Sequence, residues 1–153
     1  MKPKVAPPIL MLVAALVMWA LDRWLPLGRW IPSQWNRLSV IPAAAGLSIA
    51  AAAVIRFLRA GTTTNPMDPS KASQLVTGGV FGVSRNPMYL GLTLLLVGWA
   101  LWLGSASPWL ILPLFVIVIT VAQILPEEQA LGQVFGVPYA AYRRRVRRWV
   151  GRF

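Results

Sequence analysis

Four apolar stretches dominate this chain: Val5 to Leu21, Leu38 to Leu58, Pro87 to Leu103 and Ser107 to Leu125. Each is close to the roughly 20 residues that carry a helix across a bilayer. With 57% hydrophobic residues, 12% charged and a mean hydropathy of +0.61, the chain is more apolar than a soluble globular domain. The pattern predicts an all-α, polytopic membrane protein with four transmembrane helices, forming one domain over residues 1–153. The first stretch follows "MKPK" as a signal peptide would, but no small-x-small cleavage site precedes Asp22, so it is expected to stay as an anchor.

The charges are lopsided, 15 Lys plus Arg against 4 Asp plus Glu. Such an excess serves nucleic acid or anionic lipid, and the hydropathy favours lipid, with no nucleic-acid partner. With both termini in the cytoplasm, Lys2, Lys4, Arg56, Arg59, Lys71, Arg85, Arg143, Arg144, Arg145, Arg147, Arg148 and Arg152 fall inside and Arg23, Arg29 and Arg37 outside, the asymmetry of an inner-membrane protein of a bacterium or archaeon. Trp19, Trp24, Trp30 and Trp35 then crowd the outer interface, and "GSASP" at 104–108 makes an outer hairpin between the third and fourth helices. In the second helix Ala44, Ser48 and Ala52 form a stripe of small residues on which another helix can pack closely.

The chain contains neither Cys nor His. Thiolate nucleophiles, disulfides, the usual zinc sites and imidazole acid–base chemistry are therefore excluded, and no metal is expected. Polar chemistry gathers in two cytoplasmic segments, 60–89 and 126–153. The first ends in the Gly-rich "LVTGGVFG" (75–82) and in "SRNPMY", where Arg85 stands just before a helix N-terminus, a position that opposes the helix dipole unless an anion is near. In the second, Pro126 is expected to open a new helix with Glu127 and Glu128 in its first turn and Gly136 to close it. A last helix starts near Pro138. Along it Tyr139, Tyr142, Val146, Trp149 and Phe153 recur at three- and four-residue steps between arginines, the pattern of an amphipathic helix in the membrane interface touching anionic headgroups. Because the third and fourth helices form a tight hairpin, Arg85 and Asn86 should lie near Glu127 and Glu128. A cation, two carboxylates, backbone amides and aromatic rings suit a zwitterionic ligand with a flat ring.

"SRNPMYLG", an apolar hairpin and then "EEQALGQVFGVPYAAYRRRVRRW" resemble, in order and spacing over roughly residues 60–150, the isoprenylcysteine carboxyl methyltransferase and phospholipid methyltransferase superfamily of integral-membrane enzymes. The family pattern is R-H-P-x-Y-x-G, then E-E-x-x-L, then F-G-x-x-Y-x-x-Y. The resemblance implies S-adenosyl-L-methionine as methyl donor and a lipid-like or small amphipathic acceptor at the cytoplasmic face. It places Leu75, Val76, Thr77, Gly78 and Gly79 along the adenosine, and Arg85, Asn86, Pro87 and Tyr89 against the methionine portion. Glu127 and Glu128 would engage the donor's amino group or the reacting centre, and Tyr139 and Tyr142 would close the site. Glu127 and Arg85 are the candidate catalytic residues. Two positions depart from the pattern. Asn86 stands for the family His and supplies hydrogen bonds but no base at neutral pH; Gln123 stands where the eukaryotic isoprenylcysteine enzymes have Arg, which removes a partner for a substrate carboxylate.

The competing classes are a small four-helix transporter and a noncatalytic membrane scaffold. A transporter is expected to hold ionisable groups in mid-membrane, and the interiors of the four stretches carry none.

Overall fold

The computed structural model describes residues 5–61 and 73–153. Lys2, Lys4 and Lys71, and residues 62–72 of the segment that follows the second helix, lie outside the described residues. Among the described residues every regular element is helical: α1 (Pro7–Trp24), α2 (Val40–Arg59), α3 (Pro87–Leu103), α4 (Ile111–Ile119), α5 (Leu125–Phe135) and α6 (Val137–Arg145). Tight 3-10 turns at Ser33–Ser39 and Ser107–Leu110 lead into α2 and α4. Three helical runs, Pro7–Trp24, Ser33–Arg59 and Ser107–Phe135, are long and apolar enough to cross a membrane, and α3 is a shorter apolar helix. The chain is an integral membrane protein.

The bounds of α3 follow from its punctuation. Pro87 occupies the first turn, where its missing N–H costs nothing. Gly104, at φ +86°, ends the helix in the left-handed conformation and returns its N–H to the Ala100 carbonyl. That turn meets the loop after α1: Ala106 N–H donates to the Gly28 carbonyl at 3.1 Å and Ile31 N–H to the Gly104 carbonyl at 3.3 Å. Trp19 and Trp24 meet edge to face at this end, as do Trp30 and Trp109.

A buried cluster of Ala14, Met18, Leu96, Ala100, Phe115 and Ile119 joins α1, α3 and α4. The seam between α2 and α3 is closer still. A Cβ added at Gly91 would stand 2.7 Å from the Gly46 carbonyl oxygen, and one at Gly98 would stand 2.8 Å from that of Ser39. Helices approach this closely only where side chains are missing. The small-residue stripe is therefore real but rotated from the expected one: Ala43, Gly46, Ala50 and Ala53 face inward, while Ala44 and Ser48 are exposed. In "AAAGLSIAAAAV" nearly every position is small, so composition alone does not choose the face.

Two further expectations are corrected. Pro126 does not open a separate helix, because the run from Ser107 to Phe135 is continuous and passes through a π turn at Thr120–Ile124. Proline cannot donate to the carbonyl four residues back and its ring crowds that carbonyl; the preceding turn widens, and Leu125 N–H reaches the Thr120 carbonyl five residues back. Glu127 and Glu128 are thus inside a long helix rather than at a free N-terminus. The π turn also widens the buried face, which runs Phe115 and Ile119, then both Gln123 and Ile124, and then Glu128.

The C-terminal amphipathic helix is likewise shorter than expected. Gly136, at φ +54°, separates α5 from α6, and α6 ends at Arg145. Val146 is extended, and residues 146–153 turn back on themselves. Val146 pairs with Arg152, Arg147 N–H donates to the Gly151 carbonyl at 2.9 Å, and Gly151 takes φ +105°. A β-branched residue suits extended backbone, and the hairpin spends its remaining polar groups on residues 82–86. Phe153 is consequently exposed and stacks under the Arg147 guanidinium, instead of continuing the buried stripe of Tyr139, Tyr142 and Val146.

Candidate active site

The segment before α3 is shaped by its proline. A residue preceding Pro is kept out of helical backbone, and Asn86 sits at φ −130° and ψ 56° as the N-cap. Its N–H donates to Ser84 Oγ at 3.0 Å, so "SRN" forms a tight bend that turns Arg85 inward. Tyr89, in the first turn of α3, is buried, and its hydroxyl donates to Glu127 Oε1. Glu127 and Glu128, being adjacent on a helix, point about 100° apart. Glu127 meets α3 through Tyr89, and Glu128 meets two arginines.

Arg85 Nη1 lies 3.0 Å from Glu128 Oε1, with both side chains at least nine-tenths buried. Arg148 grips the same carboxylate with two hydrogen bonds, Nε to Oε1 at 3.0 Å and Nη2 to Oε2 at 2.8 Å. The trio carries one net positive charge. Buried charges are stable only when paired and hydrogen-bonded, and here the accounts are uneven: Glu128 meets both arginines, whereas among the described residues Arg85 Nε has no hydrogen-bond partner and Nη1 has only its ion contact with Glu128. On the other side Glu127 uses one oxygen on Tyr89 and has no further hydrogen bond among the described residues. Spare N–H donors on a buried cation, beside a carboxylate with spare capacity, are complementary to a ligand bearing both a carboxylate and an ammonium.

The aromatic residues of α6 close over this group. Tyr139 and Tyr142 are buried with Phe81 and Val146, and Leu75, Val76 and Leu131 pack against them. Burial first, and then the negative charge of Glu128, push the Tyr139 hydroxyl up to about 12 against the opposing pull of Arg85. It therefore stays protonated at neutral pH. Tyr142 is also raised by burial, and its hydroxyl donates to the Phe81 carbonyl at 2.7 Å, tying α6 to the Gly-rich turn.

Of the residues expected from the sequence, the structure gathers Arg85, Tyr89, Glu127, Glu128, Tyr139 and Tyr142 at one end of the helices, with Pro87 buried behind them. Leu75 and Val76 belong to the same apolar cluster and Thr77 is half-buried. Gly78 and Gly79 lie at the exposed edge, under Arg56: a Cβ at Gly79 would be 2.6 Å from Arg56 Nε, and φ is +63° there. Among the described residues Asn86 has no hydrogen bond to the carboxylate pair; its Nδ2 donates to the Arg148 carbonyl at 3.1 Å. Gln123 turns into the bundle, where Nε2 donates to the Val5 carbonyl at 2.7 Å. The residue missed by sequence reasoning is Arg148. Six arginines lie between 143 and 152, and nothing in their spacing separates the one that reaches Glu128.

A family model described as "Phospholipid methyltransferase" matches residues 36–137, from the entry to α2 through the carboxylate pair to the start of α6. A protein of Haemophilus influenzae described as "Uncharacterized protein" is 46% identical over 63 residues, which make up 41% of this chain and all of that protein. No solved structure gives a significant match. The matched region holds two thirds of the chain and all the residues that meet across α3 and α5, so the chain belongs to the phospholipid methyltransferase family.

Proposed function

We propose that this protein transfers a methyl group from S-adenosyl-L-methionine to a lipid-like or small amphipathic acceptor at the cytoplasmic face of a bacterial or archaeal inner membrane, as an isoprenylcysteine carboxyl methyltransferase-like enzyme. Family membership supports a membrane methyltransferase. One observation carries the donor reading: the Tyr89–Glu127 and Arg85–Glu128 pairs lie side by side where α3 begins, leaving a buried guanidinium with spare donors next to a carboxylate with spare capacity. In this reading α3 is the fourth crossing, since 17 residues lie at the short end of the spanning range. Both termini are cytoplasmic, because the basic residues concentrate at the end that holds the site.

The donor's carboxylate is assigned to Arg85 and its ammonium to Glu127, with the adenosine along Leu75–Gly79 and the α6 tyrosines over it. Glu128 serves Arg85 rather than the donor. When bound, S-adenosyl-L-methionine supplies an electrophilic methyl on a sulfonium whose charge is lost as the methyl departs. The protein's own task is alignment and exclusion of water. Tyr89 fixes the Glu127 carboxylate, and Tyr139, Tyr142 and Phe81 wall off the solvent side. A water-soluble donor enters from the cytosol and a lipid-like acceptor from the bilayer, so the two meet at the interface.

Calorimetry in detergent with S-adenosylmethionine and S-adenosylhomocysteine tests this reading, followed by mass spectrometry of a membrane extract incubated with protein and methyl-labelled donor. Micromolar binding and a labelled product are expected. Binding of neither nucleoside overturns the reading, and binding without any labelled product turns it into that of a noncatalytic scaffold.

A further inference from the structure

We propose that Arg148 is the positioning residue of this site, and that Asn86 acts through Arg148 rather than on the donor. The inference rests on the donor reading above. Arg85 and Arg148 compete for one carboxylate, and Arg148 holds it with both arms of its fork, at 3.0 and 2.8 Å. A bidentate guanidinium–carboxylate pair is the strong geometry, and a single ion contact is the weaker one. By gripping both oxygens of Glu128, Arg148 confines Arg85 to a single contact with that carboxylate, through Nη1, and leaves Arg85 Nε without a hydrogen bond among the described residues. Without Arg148, Arg85 is free to close on Glu128 with its own fork and withdraw those donors from the site.

Arg148 reaches Glu128 only because its backbone is fastened to the entry of α3. Asn86 Nδ2 donates to the Arg148 carbonyl at 3.1 Å, with Ser84 Oγ at 3.4 Å from the same oxygen. Arg85 N–H donates to the Arg147 carbonyl at 3.1 Å and Gly151 N–H to the Val83 carbonyl at 2.8 Å, while Arg152 Nε reaches the Gly82 carbonyl at 2.9 Å. Asn86 is buried and its amide donor is already engaged. What position 86 must supply is one N–H directed at a carbonyl. An imidazole can supply it; a carboxylate cannot, and would place negative charge against the carbonyl oxygen.

The test uses the full chain in detergent, with S-adenosylhomocysteine as calorimetric probe and hydrogen–deuterium exchange of the ligand-free protein as a second readout. Arg148→Gln is expected to weaken binding roughly 10- to 100-fold, the loss of hydrogen bonds to a charged group. Arg148→Lys, which keeps the charge without the fork, should fall between Arg148→Gln and the unaltered protein. Asn86→His should bind like the unaltered chain, with the Arg85 and Gly151 amides still slow to exchange. Asn86→Asp should speed exchange at both amides and weaken binding as Arg148→Gln does. A merely structural role would lower the unfolding temperature of these variants without ranking their affinities in this order. Unchanged affinity in Arg148→Gln, or equal losses in Asn86→His and Asn86→Asp, overturns the proposal. If the unaltered protein binds no S-adenosylhomocysteine, the donor reading beneath it falls; unchanged exchange in Asn86→Asp overturns the latch without reference to any ligand.

Discussion

Between α2 and α3 the chain is joined by what its side chains lack. Gly46, Gly91 and Gly98 let backbone approach backbone, and among the described residues the side-chain hydrogen bond to α3 from the run that carries α2 lies at its very start, from Asn36 Nδ2 to the Trp102 carbonyl at 2.9 Å. Between residues 82–86 and the C-terminal hairpin it is joined by what side chains and open backbone add: hydrogen bonds to four carbonyls and, beside them, a three-member ion cluster. The first seam lies among apolar spans, where lipid offers no hydrophobic gain from helix association and close packing must supply the affinity. The second lies where water and headgroups compete for every polar group, so only a satisfied network can hold a fixed geometry. The contrast separates what keeps the protein in one piece from what shapes its chemistry, and each seam should fail in its own way.

The largest effect is expected at the first seam. In Gly91→Leu the new Cβ alone stands 2.7 Å from the Gly46 carbonyl oxygen and 3.0 Å from Ala50 Cβ. The near atoms are backbone and a methyl with no rotamer to yield. Overpacking of this kind costs about 1–3 kcal/mol or more, enough to lower the unfolding temperature in detergent by many degrees or to abolish folded protein. Ser48→Leu, on the exposed face, should stay within about 0.5 kcal/mol of the unaltered chain. Equal losses in the two variants would show that α2 presents the Ala44–Ser48 face after all.

At the second seam a smaller energetic change should appear as lost function with the fold kept. Glu127→Gln keeps the shape of the side chain and a possible bond to Tyr89 but removes the charge. A charge-assisted hydrogen bond contributes roughly 1.5–3 kcal/mol, so donor affinity or turnover should fall about 10- to 100-fold, with an unfolding temperature close to that of the unaltered protein. Calorimetry and a labelled-methyl assay measure the two quantities. A fall in unfolding temperature with affinity intact would return Glu127 to a purely structural part in the seam.

How much of each seam was readable beforehand follows from where its information lies. The ends of α3 were legible because Pro87 and Gly104 are local signals, and the meeting of Arg85 with Glu128 followed from a short hairpin between two spans. The π turn was not, since Pro126 followed by two acids reads as a helix opening, and only the burial of both Gln123 and Ile124 after Ile119 shows the extra residue. The hairpin at 146–153 was hidden by a genuine helical period in Tyr139, Tyr142, Val146 and Trp149. Its competing partners are residues 82–86, some 60 positions away in sequence. For Arg148 the limit is the same: six arginines share one composition, and tertiary contact alone selects the one that reaches the carboxylate.

The smallest expected effect decides between the two shapes of that tail. In a continuous amphipathic helix, Val146 and Phe153 share one buried stripe seven residues apart, and shortening either should cost a comparable amount of stability. In the hairpin, Val146 is buried against Tyr139, Tyr142 and Phe81, whereas Phe153 is 79% exposed and touches the guanidinium of Arg147. Val146→Ala removes two methyl-sized groups from a buried cluster, which at about 0.8 kcal/mol each gives roughly 1.5 kcal/mol. Phe153→Ala forfeits an exposed cation–π contact of about 0.5–1 kcal/mol at most. Thermal unfolding of the two variants in one detergent should therefore rank Val146→Ala as the more destabilised, with donor affinity lowered only in that variant, because Val146 supports the tyrosines and Phe153 supports nothing in the site. A larger loss from Phe153→Ala would mean that the residue is buried at the end of a longer helix. The Arg148 carbonyl would then be spent within that helix, and its hydrogen bonds from Asn86 and Ser84 would have to be given up.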